Sequence, residues 1–282
     1  MINSSQTGIY KDLLLANPSL SKFNPLRRIL FYDDFDNGYN GWVELVGNHP
    51  GDLTKIKKAF SDLRPVMLSN LTFYDCGTHG SMEGTYALKL ATKAKEGHKT
   101  VAIKRVTWSE LKDVQFEAYF TYKPEGYGGL EKDIRAFGVM FDIQDNERRW
   151  HPTIRYLNSK NGEIKHFWQY HKSIMPTSWD PNFVDIFGEW TDIANSHQPL
   201  CYNETDTKVN WHYLRILIDT DKGKIKEFQC NDKLYDMNNY STDYRKTFWG
   251  LRNLLNVCFF IEADSTKRCF FYVDSCLMSV DW

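Results

Sequence analysis

"AFGVMFDIQDNERRWHPTIRYLN", residues 136–158, decides how this chain is read. Phe137, Val139, Phe141 and Ile143 alternate with Gly138, Met140, Asp142 and Gln144, the period-2 signature of a strand with one apolar face. A polar turn over 145–149 leads into a second run that carries Arg148, Arg149, Trp150, His151, Arg155 and Tyr156. Two neighbouring strands are predicted, and their register sets the chemistry. One alignment puts Asp142 beside Trp150 and Tyr156; a one-residue slip puts it beside His151 and Arg155.

The same alternation recurs outward from this hairpin. "YALKLAT" (86–92), "TVAIKRVTW" (100–108) and "VQFEAYFT" (114–121) precede it, and "IKHFWQY" (164–170) follows. "HYLRILID" and "KIKEFQC" flank the turn "TDKG", and "NVCFFIEA" and "CFFYVDSCLMSV" flank "DSTKR", so each pair reads as a hairpin. Roughly a dozen strands joined by short turns predict an all-β, two-sheet antiparallel β-sandwich or jelly roll. Helix is scarce. Ile56, Phe60 and Leu63 are helically spaced between a capping Asp52 and the stop at Pro65, residues 10–20 supply a turn or two ending at Pro18, and 238–255 fit a short helix. A long loop over about 171–210 shows little strand pattern, and its Trp179, Phe183, Phe187 and Trp190 suit an ordered flap. The expected organisation is an N-terminal extension, 1–29, packed on one sandwich domain, 30–282.

Composition narrows the partners. A net charge of −1 gives no electrostatic basis for binding nucleic acid or an anionic membrane. The 15% aromatic content serves both strand packing and flat ligand-contact surfaces. The apolar run "LLLA" is too short for a signal-peptide core or a membrane span, so a cytoplasmic location is expected. Cys76, Cys201, Cys230, Cys258, Cys269 and Cys276 form no CxxC pair and read as reduced thiols.

Candidate chemistry gathers around the opening hairpin. His166, Trp168 and Tyr170 share one face of their strand. With Arg148, Arg155 and Tyr156 they offer the stacking rings and forked donors that sugar recognition needs. The same residues also fit a sheet whose rings are core and whose charges pair across strands. Asp142, His151 and His79, the last in the glycine-rich "FYDCGTHGSMEGTY", are the candidate acid–base residues. The turn holding His79 also reads as simply a turn. "YDDFDNG" has calcium-loop composition without EF-hand spacing; if the first and last strands are neighbours, Asp33 or Asp34 would share a cation with Asp274, making a structural Ca2+ the one cofactor suggested. Phosphate-binding loops, dinucleotide fingerprints and nucleophile elbows are absent from the sequence.

"DDFDNGYNGW", "HYLRILIDTDKGKIKEFQCND" and the closing "FYVDSCLMSV" together resemble the concanavalin A-like lectin/glucanase superfamily over about residues 30–282. The middle, from "SMEGTYALKLAT" to "FWQY", resembles a bacterial branch of that group. The resemblance implies a jelly roll whose concave sheet binds or cleaves glycans. A retaining glucanase would carry Glu-x-Asp-x-(x)-Glu on one strand, with its two acting carboxylates about 5 Å apart. Here Glu262-Ala263-Asp264 runs on to Ser265, Thr266 and Lys267 with no second Glu. The functional expectation is therefore a carbohydrate- or glycoside-binding jelly roll. The alternatives are a sugar-active hydrolase or lyase using carboxylate and His chemistry, and a structural subunit of a larger complex.

Overall fold

The computed structural model describes residues 14, 16–44, 66–69, 81–107, 112–126, 128–172, 190–203, 210–246 and 254–281. The expected helix at 51–65, His79 and most of the glycine-rich turn lie outside them. The first strands are β1 (Arg28–Asp33), β2 (Trp42–Glu44), β3 (Met67–Ser69), β4 (Ala87–Ala91), β5 (Lys99–Thr107) and β6 (Asp113–Pro124). Next come β7 (Ile134–Gln144), β8 (Arg148–Trp150), β9 (Thr153–Lys160), β10 (Glu163–His171) and β11 (Trp190–His197). The chain continues with β12 (His212–Asp219), β13 (Lys224–Cys230), β14 (Lys233–Asp236), β15 (Tyr244–Lys246), β16 (Leu254–Ala263) and β17 (Cys269–Asp281).

They form two antiparallel sheets. The first runs β14-β13-β12-β6-β17-β4-β3, with β1 also paired to β17; the second runs β11-β10-β9-β7-β16-β5-β2, with β8 and β15 branching from β7. This is the two-sheet sandwich expected from the sequence. Between the sheets, Phe116 and Phe120 from β6 meet Phe137 and Phe141 from β7 and Phe259 from β16, all buried. A buried aromatic side chain of this size contributes several kcal/mol, and truncating one costs about 3–5 kcal/mol. Gly223 is needed for this packing: it sits at φ +59°, and a Cβ there would lie 2.2 Å from the buried Trp150 ring.

Three local expectations meet different outcomes. Leu14 and Ala16 are helical and that turn stops before Pro18, as expected; Pro18 then opens a second turn, Pro18–Ser21, because its fixed φ suits a first turn and Asn17 Oδ1 accepts the Ser19 N–H at 3.1 Å. Within 238–255, residues Tyr244–Lys246 extend along β8 and β16 begins at Leu254, while 247–253 lie outside the described residues. The stretch expected as loop contains β11, the edge strand of the second sheet.

The segment before β1 lies across the outer face of the first sheet. Asn24 N donates to Glu117 at 2.9 Å, Gln115 Nε2 donates to Asn24 O at 2.6 Å, and Tyr119 OH donates to Lys22 O at 3.1 Å. Further along, Leu26 N reaches Ser279 Oγ at 2.9 Å. Cys230, Cys258, Cys269 and Cys276 are buried free thiols and Cys201 is exposed. No helix among the described residues is long and apolar enough to cross a membrane.

Candidate functional site

The register of β7 against β9 is Gly138 opposite Arg155 and Phe137 opposite Tyr156. With Phe137 in the core, Tyr156 follows it inward, and Gly138, Met140 and Asp142 share the outer face with Arg155. The slip left open by the sequence is thus settled: Asp142 goes with His151 and Arg155, while Trp150 and Tyr156 are core.

Extending this register across the second sheet gives four cross-strand rows on its outer face. At one end Asp142 faces Asn256 and Arg105. The next row is Trp190, His171, Thr153, Met140, Cys258 and Ile103. The third is Asp192, Gln169, Arg155, Gly138, Phe260 and Val101. The fourth is His197, Phe167, Leu157, Ala136, Glu262 and Lys99. Successive rows are about 7 Å apart, two strand residues each. The middle of the face is an apolar floor of Val101, Ile103, Cys258 and Phe260, against which Met140 and Trp190 pack. Gly138 keeps that floor flat, since a Cβ there would meet Ile154 O at 2.1 Å and the Phe260 ring at 3.0 Å.

Polar groups ring the floor. At the Asp142 end, Arg149 holds the carboxylate in a fork, Nε to Oδ1 at 2.7 Å and Nη2 to Oδ2 at 2.8 Å. Asn256 Nδ2 adds a bond at 3.1 Å and His151 Nε2 lies 3.2 Å away. Burial by itself would raise the Asp142 carboxyl, but His151 and Arg149 hold it well below the usual range. Both of its oxygens are spent, so Asp142 is a fixed charge rather than a free base. At the opposite end Arg135 bridges Glu262 (3.2 Å) and Asp264 (2.5 Å). Burial raises the Glu262 carboxyl against the pull of Lys99, Arg135 and Arg155. Asp264 also accepts from Ser159 Oγ and Gly162 N, which with Arg135 outweigh its burial and lower it.

Between the ends, along the β9–β10–β11 side, Arg155 Nε donates to Gln169 Oε1 at 2.7 Å, and Gln169 Nε2 donates to Asp192 at 2.6 Å. The Arg155 guanidinium sits 4.0 Å from the Trp190 ring centroid, and the His171 ring packs on the same indole at 4.9 Å. Burial, with Arg155 and His151 nearby, depresses the His171 imidazole to about 4. Four buried polar atoms on this face have no hydrogen-bond partner among the described residues: His171 Nδ1, Trp190 Nε1, Asn256 Oδ1 and Glu262 Oε2. Buried polar atoms are nearly always bonded, so four such atoms on one face stand out.

The residues expected from sequence divide accordingly. Asp142, His151 and Arg155 share the outer face. Tyr156, Trp168 and Tyr170 are 0%, 1% and 2% exposed in the inter-sheet core, so their rings are packing residues and offer no stacking platform. Their hydroxyl and indole groups bond inward, to Gln198 and Thr242. His166 stacks on Tyr156 and bonds Glu131 at 2.7 Å, away from the floor. Arg148 turns back to Asp145 at 2.8 Å and over Trp150. Arg149 was noted in the turn and Trp190 in the long loop, neither as a contact residue, and Gln169 and His171 were not picked out. Their signal was present as the odd-numbered partners of 166, 168 and 170 and as the second arginine of the turn.

β1 and β17 do pair, with Asp33 opposite Cys276, yet a calcium site does not follow. Asp33 is taken by Lys104 at 2.9 Å and Trp42 Nε1 at 2.8 Å, and Asp34 Oδ1 accepts from Asp36 N. Asp274 accepts from Glu83 N, and its other oxygen is buried without a partner. Burial pushes its carboxyl up to about 7, with Lys22 nearby to offset it. Calcium takes six to eight oxygens. Among the described residues no group of three or more His, Cys, Asp or Glu side chains is placed to hold a metal.

Among solved structures, the chain is similar to a putative β-glucanase from Mycobacterium abscessus, at 14% identity and TM-score 0.42, covering 89% of this chain and 99% of that one. It is also similar to a legume lectin-like domain from Entamoeba histolytica, at 10% identity and TM-score 0.41, covering 80% and 93%. A third is the metal-free Emp46p carbohydrate recognition domain, at 12% identity and TM-score 0.39, covering 86% and 97%. Likeness at this level carries no ligand over to this chain. No curated protein matches the sequence. A family model does, across residues 10–282, and the chain belongs to that family, the domain of unknown function DUF6772.

Proposed function

We propose that the protein binds a carbohydrate on the outer face of its second sheet, beside half-buried Arg155 and Trp190. One observation carries this reading: half-buried Arg155 and Trp190 stand next to buried polar atoms that lack partners among the described residues. Sugars present both requirements at once, C–H faces for an indole and hydroxyls for amide, imidazole and guanidinium groups. The superfamily resemblance of the sequence points the same way. Titration calorimetry against a panel of neutral and acidic oligosaccharides tests it. Binding is expected, with a loss of about tenfold or more in Trp190→Ala. Silence across the panel, or affinity untouched by that substitution, ends the proposal.

Hydrolysis by a carboxylate pair is less well supported. Asp142 and Glu262 have opposite displacements, as an acid and a base would. Six residues of β16 separate Asn256, the partner of Asp142, from Glu262, which puts the two carboxylates about 20 Å apart, well beyond glycosidase spacing. Asp264 is nearer to Glu262, but its oxygens are already committed to Arg135, Ser159 and Gly162.

A further inference from the structure

Two kinds of arginine line this face. Arg149 grips Asp142, and Arg135 grips Glu262 and Asp264. Arg155 has no carboxylate in ion-pair contact among the described residues. Its Nε is bonded instead to the neutral amide oxygen of Gln169, and that amide stands between it and Asp192. Below the guanidinium the row continues as Gly138, Phe260 and Val101, with no polar side chain. Trp190 packs against it from the side. Burial lowers Arg155 to about 10, with Arg135 adding to that and Glu262 and Asp192 opposing, so it remains a cation at neutral pH. A cation held among apolar groups without a counter-ion is costly, and an incoming anion removes that cost.

Resting on the carbohydrate reading above, we infer that the ligand is an acidic sugar, whose carboxylate or sulfate is received by the free prongs of the Arg155 guanidinium. Guanidinium groups favour planar, two-pronged pairing with such acids. His171, one row away, supplies a neutral hydrogen-bonding group for a neighbouring hydroxyl, and its Nδ1 has no partner among the described residues.

The experiment uses the intact chain. Titrations compare trimers of galacturonate, glucuronate, mannuronate and guluronate with the same trimers after carboxyl reduction, and sulfated trimers with their desulfated counterparts. At least one acidic trimer is expected to bind, its neutral counterpart to bind weaker by about tenfold or more, and the difference to shrink with added salt. A preference for uronate over sulfate, or the reverse, identifies the acid. Arg155→Gln is expected to erase the preference, bringing the affinity for the acidic trimer down to that for its neutral counterpart. Equal affinity for acidic and neutral partners, or a preference that survives Arg155→Gln, overturns the inference and leaves carbohydrate binding standing. No binding of any trimer, acidic or neutral, overturns both. The wild-type comparison decides the matter even if Arg155→Gln fails to fold.

Discussion

On the outer face of the first sheet, the fully buried Glu117 accepts from Asn24 N, Gln115 Nε2 and Tyr213 OH at 2.9, 2.8 and 2.5 Å. Arg215 there spreads over Gln229, Gln115 and Glu227. On the outer face of the second sheet, His171, Trp190, Asn256 and Glu262 each keep a buried polar atom with no partner among the described residues. The two faces carry similar residue types and differ in how those groups are satisfied. A strap of the protein's own backbone satisfies that part of the first face, while elsewhere on the first sheet Trp211 Nε1 and Asp274 Oδ1 are buried without a partner among the described residues. The second has ion pairs at its ends, where the unmet atoms of Asn256 and Glu262 lie, and those of His171 and Trp190 between them, the arrangement on which the proposed sugar site rests.

Three substitutions would sharpen or break this contrast. The largest effect is expected inside the sandwich, where Trp168 packs against Tyr156 and Phe228 and donates to Gln198. Trp168→Ala should cost about 3–5 kcal/mol in urea unfolding. Sugar affinity of whatever remains folded should be unchanged; selective loss of binding with stability intact would return that ring to the ligand face. Glu117→Ala should follow, at about 2–3 kcal/mol, because it leaves three donors without their acceptor. Proteolysis within residues 17–27 should accelerate in parallel; wild-type stability would show that the strap contributes little. His171→Phe should be the mildest. It removes a buried polar atom without a described partner, so stability at pH 7 should stay within about 0.5 kcal/mol of wild type or rise. The imidazole is depressed from 6.5 to about 4 in the folded chain, so its contribution is full above pH 6.5 and is lost as pH falls toward 4. His171→Phe should therefore flatten the acid limb of the stability curve. A loss of 2 kcal/mol or so at neutral pH would mean that His171 is satisfied after all.

Much of the architecture was readable from alternation alone. β6, β7, β12, β13, β16 and β17 fall where period-2 patterns predicted them, since each buries a continuous apolar face. β11 was not, because only Ile193 and Ser196 of its eight residues are buried and an edge strand needs no more. The site failed on a different point. Parity says which side chains share a face, not which face is inside. Trp168 and Tyr170 were assigned together correctly, but their large rings belong in the core; His166 is half-buried at a register irregularity beside them, and the plainer Phe167, Gln169 and His171 are the ones turned outward. The Arg155 and Asp142 assignments fared better since the glycine at 138 and the apolar run of β7 fix that strand's orientation.

The buried thiols give the molecule a clock. Cys258 lies under the candidate site and Cys276 in the strand that β1 zips against; burial raises both far above an ordinary thiol. A thiol in that state reacts only when its strands part, and even then only through a small thiolate fraction. Exposed Cys201 should take an alkylating reagent at once, while Cys258 and Cys276 yield at the pace at which the second and first sheets open. A ligand seated beside Arg155 and Trp190 would slow the former and leave the latter untouched.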